Sequence, residues 1–365
     1  MSLKIGLYIP TLSGGGAQRV ALNLAQGFLG AGRKVSLILV KAQGPLVDDI
    51  PEGVEVVDLD SCRTITSIPK LSFHLYRVGY DIVISFMNYV NICAVIASVL
   101  AGFGNRLVVT EHNNFSQATK GVSSTEIKIR QILMRLLYPS ADNVIAVSKG
   151  VAHDLERVIR SSNVDSIPNP ISVNIPTSSI ESKSLPHAWF GRTEPVVLGA
   201  GRLTRQKGFS TLIRALHHIH DCGRSCRLII MGEGEARGDL ETLVRDLDLE
   251  NAVSLPGFIN DPHEFMRAAD VFALSSRWEG FGNVLVEAMA CGTPVVSTEC
   301  PSGPAEILED GEWGHLVPVG DDRALAKAIV EALEDPPVTS EELIDRSDDF
   351  APDKIASEYL NKILD

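Results

Sequence analysis

Short apolar runs alternate with amphipathic stretches along the whole chain. In the first half the runs predict strands over residues 4–9, 35–40, 54–59, 81–86, 107–110 and 143–147. A Gly-rich turn follows the first of them. After it comes a helical pattern carrying Val20, Leu22, Leu24, Phe28 and Leu29, closed by Gly30 and Gly32. The same grammar restarts in the second half, with strands predicted over 195–200, 226–231, 253–255, 271–274 and 294–297. Strands that alternate with helices imply an α/β protein of two doubly wound, parallel-sheet layers. The longest apolar tract, Ile92 to Phe103, is too short to span a bilayer and predicts a buried helix.

The break between the halves lies where Ile167-Pro168-Asn169-Pro170 runs into a Ser- and Pro-rich stretch ending at Leu185-Pro186-His187-Ala188-Trp189-Phe190. Prolines at 168, 170, 176 and 186 oppose any regular element there. The expected organisation is a first domain over 1–171, a linker over 172–190 and a second domain over 191–351. A final amphipathic helix over 352–365, with Ile355, Tyr359, Ile363 and Leu364 on one side, is expected to pack back on the first domain.

A chain of 365 residues suits two cores better than one. Its net charge of −13 argues against a nucleic-acid binder. Residues 1–180 hold 16 Lys and Arg against 13 Asp and Glu, while residues 181–365 hold 17 against 33. The first half therefore tolerates anionic surfaces better than the second. Six cysteines (62, 93, 222, 226, 291, 300) lack disulfide-framework spacing. With no targeting segment at the start, they point to a reducing cytoplasm.

Three turns could carry chemistry, because open parallel sheets bind ligands beyond the carboxyl ends of their strands. Ser13-Gly14-Gly15-Gly16-Ala17-Gln18 follows the first strand, and its glycines let backbone approach an anion. A dinucleotide reading would want an acidic residue ending the second strand, but that strand ends in Val40-Lys41. The alternative, less favoured, is a tight turn with no ligand. Gly199 to Phe209 opens the second half, and Arg202 and Lys207 there could neutralise a departing diphosphate without metal. The third string runs Glu279-Gly280-Phe281-Gly282-Asn283-Val284-Leu285-Val286-Glu287 at a helix start. Carboxylates so placed grip hydroxyls of ribose or sugar.

On these motifs, with Ile167-Pro-Asn-Pro and Gly314…Leu316-Val317, the chain resembles a family-4 glycosyltransferase of the GT-B fold. The resemblance implies two Rossmann-like doubly wound domains facing a central cleft. It implies retaining transfer of a hexosyl or N-acetylhexosaminyl group from a nucleoside-diphosphate sugar, with no cofactor and no obligatory metal. Arg202 and Lys207 match the residues that stabilise the leaving diphosphate, and Glu287 the residue that holds the ribose. Glu279 matches the carboxylate set against the donor sugar. Phe281, Gly282, Asn283 and Val284 match the lining of sugar and phosphates. Gly15 and Gly16 match the loop that closes on the phosphates beside the acceptor. His112, in Thr110-Glu111-His112-Asn113, falls where the family places a polar residue near the sugar.

Two departures stand out. Thr298-Glu299-Cys300-Pro301-Ser302-Gly303-Pro304 replaces a Gly-Gly-Pro-like turn and resembles bacterial enzymes that use UDP-sugars. Ala17 stands where some members carry a bulkier residue, which bears on acceptor preference. The implied mechanism is attack by the acceptor hydroxyl from the face the diphosphate leaves, with a phosphate oxygen taking the proton. Interlobe closure would exclude water. The acceptor is expected to be a glycan, lipid-linked in one form of this reading, with the enzyme at the inner face of the cell membrane.

Other features carry less. His217-His218-Ile219-His220-Asp221-Cys222 lacks regular metal-ligand spacing and is read as a solvated helix end. Asp58-Leu-Asp60 and Asp246-Leu-Asp248 sit near element ends and are given no role. A helix over 124–138 mixes Ile127, Ile132, Leu133, Leu136 and Leu137 with Lys128, Arg130 and Arg135. It is read either as docking on an anionic membrane or as packed on its own sheet with a basic outer face, the second being favoured. Two other activities stay open: a catalytically silent sugar-nucleotide-binding protein and a sugar-nucleotide epimerase of the same fold. A phosphorylase of this fold would need a pyridoxal phosphate lysine, for which no motif is present.

Overall fold

The computed structural model describes residues 2–120, 125–173 and 185–365, so Ser124 and part of the predicted linker, Pro176 included, lie outside the described residues. The chain divides into two compact units: Met1–Ser172 with Phe350–Asp365, and Val173–Asp349.

The first unit holds strands β1 (Lys4–Ile9), β2 (Lys34–Leu39), β3 (Glu55–Asp58), β4 (Ile82–Phe86), β5 (Arg106–Glu111), β6 (Asn143–Ala146) and β7 (Asp165–Ser166). Its helices are α1 (Gly16–Gly30), α2 (Ile68–Val78), α3 (Asn88–Ala101), α4 (Phe115–Ala118), α5 (Thr125–Leu137) and α6 (Lys149–Ile159). The second unit holds β8 (Val196–Ala200), β9 (Arg227–Met231), β10 (Val253–Gly257), β11 (Val271–Leu274), β12 (Val295–Thr298) and β13 (His315–Val317). Between and after these run α7 (Phe209–Asp221), α8 (Arg237–Asp246), α9 (His263–Ala268), α10 (Asn283–Ala290), α11 (Pro304–Ile307), α12 (Asp322–Glu334) and α13 (Ser340–Ser347). Last comes α14 (Pro352–Leu364), which belongs to the first unit.

Among the described residues the first sheet has seven strands in the order β3-β2-β1-β4-β5-β6-β7, and the second has six in the order β10-β9-β8-β11-β12-β13. Every pairing is parallel. Both units are thus Rossmann-like and doubly wound, as the strand–helix alternation implies. Strands covered on both faces are buried at every position, as in Ile82–Phe86, where only Ser85 breaks the apolar run. Within such a run the side chains still alternate: Ile5, Leu7 and Ile9 pack with α1 and α14, whereas Tyr8 packs with α2 and α3.

Helix α14 lies against α1 through Ile355, Ala356, Tyr359, Leu360 and Ile363. Leu364, expected on the same side, is exposed instead, since the helix ends there. Two short edge strands, β7 and β13, have no counterpart among the predicted strands.

In each sheet the strand order reverses once, between β1 and β4 in the first unit and between β8 and β11 in the second. The connections leaving these neighbouring strands diverge to opposite faces and open a crevice at their carboxyl ends. In the second unit that place is flanked by the turn after β8 and the turn after β11.

Candidate active site

Register places the two turns of the second unit side by side. Strand β8 pairs with β11 through Val197↔Val271 and Leu198↔Phe272, so residues 201–208 and 275–282 emerge together. Backbone and side chains stitch them. The Arg277 N–H donates to the Gln206 carbonyl at 2.7 Å, and Gln206 Nε2 donates to the Trp278 carbonyl at 3.0 Å. Ser275 Oγ donates to the Lys207 carbonyl at 2.9 Å. Gly208 makes this approach feasible: its φ is 61°, and a Cβ there would run into the Ser275 carbonyl. Gly303, at φ 97°, likewise lets the Pro301–Pro304 turn close on the Phe281 carbonyl.

The stitching brings together two predicted residues that stand far apart in sequence. Lys207 Nζ lies 2.6 Å from Glu279 Oε1, with the two side chains only 15% and 8% exposed. Ser276, wholly buried, donates its hydroxyl to the same oxygen at 2.6 Å. Its own carbonyl accepts from Thr298 Oγ1 at 2.6 Å, which fixes the turn from behind. Oxygen Oε1 is therefore fully committed. Oε2 has no hydrogen-bond partner among the described residues and remains an acceptor for a substrate hydroxyl. Lys207, expected on the diphosphate, is thus bound to the carboxylate in this state, and its charge is partly spent there. Cys300, in the variant turn, is buried beside this group, and burial first and the Glu279 charge second push its thiol up to about 12.

Arg202 is exposed, and its side chain makes no hydrogen bond or ion pair among the described residues. Helix α10 begins at Asn283, with Gly282 at φ 107° as its N-cap residue. Its positive dipole end and first-turn amides lie at Gly282, Asn283 and Val284, a disposition suited to an anion. Phe281 is buried and holds the turn, and Glu287 sits one helical turn further on, half-buried.

The remaining predicted residues belong to the first unit. Gly15 is the extended residue before α1 and Gly16 its first residue, both exposed and without a side-chain cap. His112 follows β5. Its imidazole stacks on Phe86 with centroids 5.4 Å apart and planes 24° from parallel. Its Nε2 lies 2.9 Å from Thr110 Oγ1, and burial pushes its pKa down to about 4. A neutral imidazole, not an imidazolium, is the resting form.

Beside it is a cluster that no sequence signal identified. The Glu111 carboxyl is buried and accepts from the Tyr138 hydroxyl, from Asn91 Nδ2 at 3.2 Å and from Asn88 Nδ2 at 3.4 Å. Burial pushes its pKa up to about 7, against the pull of these neutral donors.

Among the described residues no three His, Cys, Asp or Glu side chains gather as metal ligands. His217, His218 and His220 turn to separate partners, Asp221, Asp322 and the Cys226 carbonyl, at the end of α7. No described helix is long and apolar enough to cross a membrane.

Comparison with known proteins fits this geometry. Residues 14–174 match the model of Glycosyltransferase Family 4, and residues 188–349 match that of Glycosyl transferases group 1. The chain is 32% identical over 356 residues to the Campylobacter jejuni N-acetylgalactosamine-N,N'-diacetylbacillosaminyl-diphospho-undecaprenol 4-alpha-N-acetylgalactosaminyltransferase, covering 91% of this chain and 90% of that one. A second enzyme of that organism, an alpha-1,4-N-acetyl-D-galactosaminyltransferase acting on a diphospho-undecaprenol glycan, is 26% identical over 100% and 99% of the two chains. Among solved structures, Anabaena HepE in complex with UDP and glucose superposes with a TM-score of 0.81 over 99% of both chains, at 24% identity.

Proposed function

The chain belongs to the family-4 glycosyltransferases, with the GT-B fold, and we propose that it transfers a hexosyl or N-acetylhexosaminyl group from a UDP-sugar, with retention, to a lipid-linked glycan. The observation that carries this reading is the half-committed carboxylate of Glu279. Lys207 and Ser276 hold one oxygen and leave the other to accept from a sugar hydroxyl, beside the N-terminal end of α10 and an exposed arginine. Arg202, the amides of residues 282–284 and Lys207 supply positive potential for a diphosphate, so the reaction as read here uses no metal and no cofactor. The acceptor oxygen forms the new bond to the anomeric carbon as the bond to the diphosphate oxygen breaks on the same face. The acceptor proton passes to the departing phosphate. Glu287 takes the ribose hydroxyls, Gly15 and Gly16 serve the phosphates beside the acceptor, and His112 serves the transferred sugar. Support for UDP comes from HepE, and support for a lipid-linked acceptor from the two Campylobacter relatives.

The acceptor would place the enzyme on the cytoplasmic face of a membrane, and α5 offers the contact. Its residues Ile129, Ile132 and Leu136 fall at one helical stripe and are 52%, 52% and 69% exposed, while Met134 alone in the helix is fully buried. The outer face of α5 is therefore apolar as well as basic, which adds to the favoured reading of a helix packed inward with a basic outer face. Phe73 and Tyr76 on α2, which packs on α3 as α3 packs on α5, are 64% and 77% exposed. Neither α2 nor α3 contains an acidic residue. An apolar stripe flanked by Lys70, Arg77 and Lys128 suits an anionic bilayer surface.

The test is thermal unfolding with UDP, GDP, ADP and their sugar conjugates, with and without EDTA. A ligand at about 100 times its Kd stabilises the folded state by about 2.7 kcal/mol. The expected result is a rise with UDP or a UDP-sugar that EDTA does not change. A rise confined to another base, or one abolished by EDTA, would overturn the donor or the metal-free part respectively.

A further inference from the structure

A hydrogen-bond chain beneath the ends of β4 and β5 dictates the chemical form of His112. Thr110 is wholly buried, and its Oγ1 lies 2.8 Å from the Ser85 carbonyl. A carbonyl only accepts, so the single hydroxyl proton of Thr110 is directed there. The same Oγ1 lies 2.9 Å from His112 Nε2. With its proton already given, Oγ1 can only accept from the ring. The imidazole proton is therefore on Nε2, and Nδ1 keeps its lone pair. Nδ1 is buried with no hydrogen-bond partner among the described residues, a place where a lone pair costs less than an unpaired N–H.

The frame behind Thr110 is equally committed. Ser85 Oγ donates to Asn91 Oδ1 at 2.7 Å, and Asn91 Nδ2 donates to the Thr110 carbonyl at 2.8 Å and to Glu111 Oε1 at 3.2 Å. Ser85 and Asn91 are both wholly buried. Neither the Ser85 carbonyl nor the Thr110 backbone is therefore free to turn. The Phe86 ring, stacked on the imidazole, sets its plane. Direction, plane and register of the ring are all fixed from within the first unit, before any substrate arrives.

We propose that Thr110 is a positioning residue of the transfer reaction, holding His112 in one neutral tautomer with its proton on Nε2. The proposal rests on the reading of His112 as a residue near the transferred sugar. A ring held in one tautomer presents the same edge at every turnover; a ring free to exchange tautomers loses that pre-organisation.

The experiment reads histidine ring nitrogens in the full-length, nitrogen-15-labelled protein, with the His112 signals identified by their loss in His112→Gln. The resting protein is expected to show the proton on Nε2. Thr110→Val keeps the shape but removes the acceptor, and should shift the ring to a mixture of tautomers. UDP release from UDP-glucose or UDP-N-acetylhexosamines should then fall about tenfold in kcat, with KM for the donor within about twofold. Thr110→Ser keeps the hydroxyl and should restore both. A proton on Nδ1 in the resting protein, or a tautomer unmoved by Thr110→Val, would overturn the proposal. If the unmodified protein turned over no nucleotide sugar at all, the reading of the reaction would fall, and the nitrogen signature would still decide the role of Thr110.

Discussion

Replacing Lys207 by Met, Glu279 by Leu, and then both together separates what their ion pair does for the fold from what it does for the chemistry. The two charges lie 2.6 Å apart with side chains 15% and 8% exposed. At an effective dielectric of about 20 such charges attract by about 6 kcal/mol, but most of that is offset by the water both groups give up. Lys207→Met leaves a buried carboxylate with only Ser276 on it, and should cost about 3 kcal/mol. The double variant carries no buried charge. It should recover to within about 1 kcal/mol of the starting protein, the residue being the Ser276 hydroxyl left without its acceptor. All three tryptophans, at 189, 278 and 313, lie in the second unit, so fluorescence during urea unfolding reports that unit alone. With a slope of about 2 kcal/mol per molar urea, the single variant should unfold about 1.5 M earlier. Activity should behave otherwise, with all three variants losing turnover. If Lys207→Met lost less than about 1 kcal/mol, or the double variant lost the sum of the singles, the reading of a buried, functionally retained pair would be wrong.

Two further outcomes follow from the first unit. Burial moves Glu111 up to about 7 and His112 down to about 4, so the two impose opposite pH slopes of about 1.4 kcal/mol per unit on its stability. The Glu111 contribution is whole below its ordinary pKa of 4.5 and is lost as pH rises through about 7; that of His112 is whole above 6.5 and is lost as pH falls toward 4. Glu111→Gln should therefore leave the His112 slope uncancelled, making the first calorimetric transition rise from pH 4.5 to 6.5 relative to the unmodified protein, and parallel profiles would refute it. For α5, Ile132→Asp with Leu136→Asp should abolish sedimentation with phosphatidylglycerol vesicles while leaving the UDP thermal shift intact. Equal binding to neutral phosphatidylcholine vesicles, or binding that survives both aspartates, would refute an anionic bilayer as the partner.

The sheet strands were legible because burial on both faces demands nearly unbroken apolar runs, and Ile82–Phe86, with Ser85 its one polar position, or Val271–Leu274 can be little else. The strands that escaped, Asp165–Ser166 and His315–Val317, are edge elements of two and three residues with polar positions, too short for any period to show. At the site, residue types and turns were readable but partnerships were not. Lys207 and Glu279 stand 72 residues apart and meet only because the second sheet reverses its order between β8 and β11. Ser276 looks like an ordinary strand end until that meeting gives its hydroxyl an acceptor. Thr110 and Glu111 escaped for a related reason. Thr110 acts through the Ser85 carbonyl on β4, and Glu111 through Asn91 on α3 and Tyr138, all far from them in sequence.

Helix α5 illustrates a more general limit. Spacing of i, i+3 and i+7 says that Ile129, Ile132 and Leu136 share a face, and in most helices that face is the core side. Here the inward side is taken by Met134, whose sulfur accepts from Asn88 Nδ2 at 2.7 Å, with buried Tyr138 just beyond the helix. The apolar stripe is left pointing out. Periodicity identifies a face without saying which way it points, and the sense comes from what the neighbouring helices already cover. Because α2 and α3 contribute exposed apolar and basic residues but no acid, the outward stripe continues across a layer rather than standing alone. A stripe that was merely a local packing compromise would have no reason to be matched, in both polarity and charge, by the helix two places away.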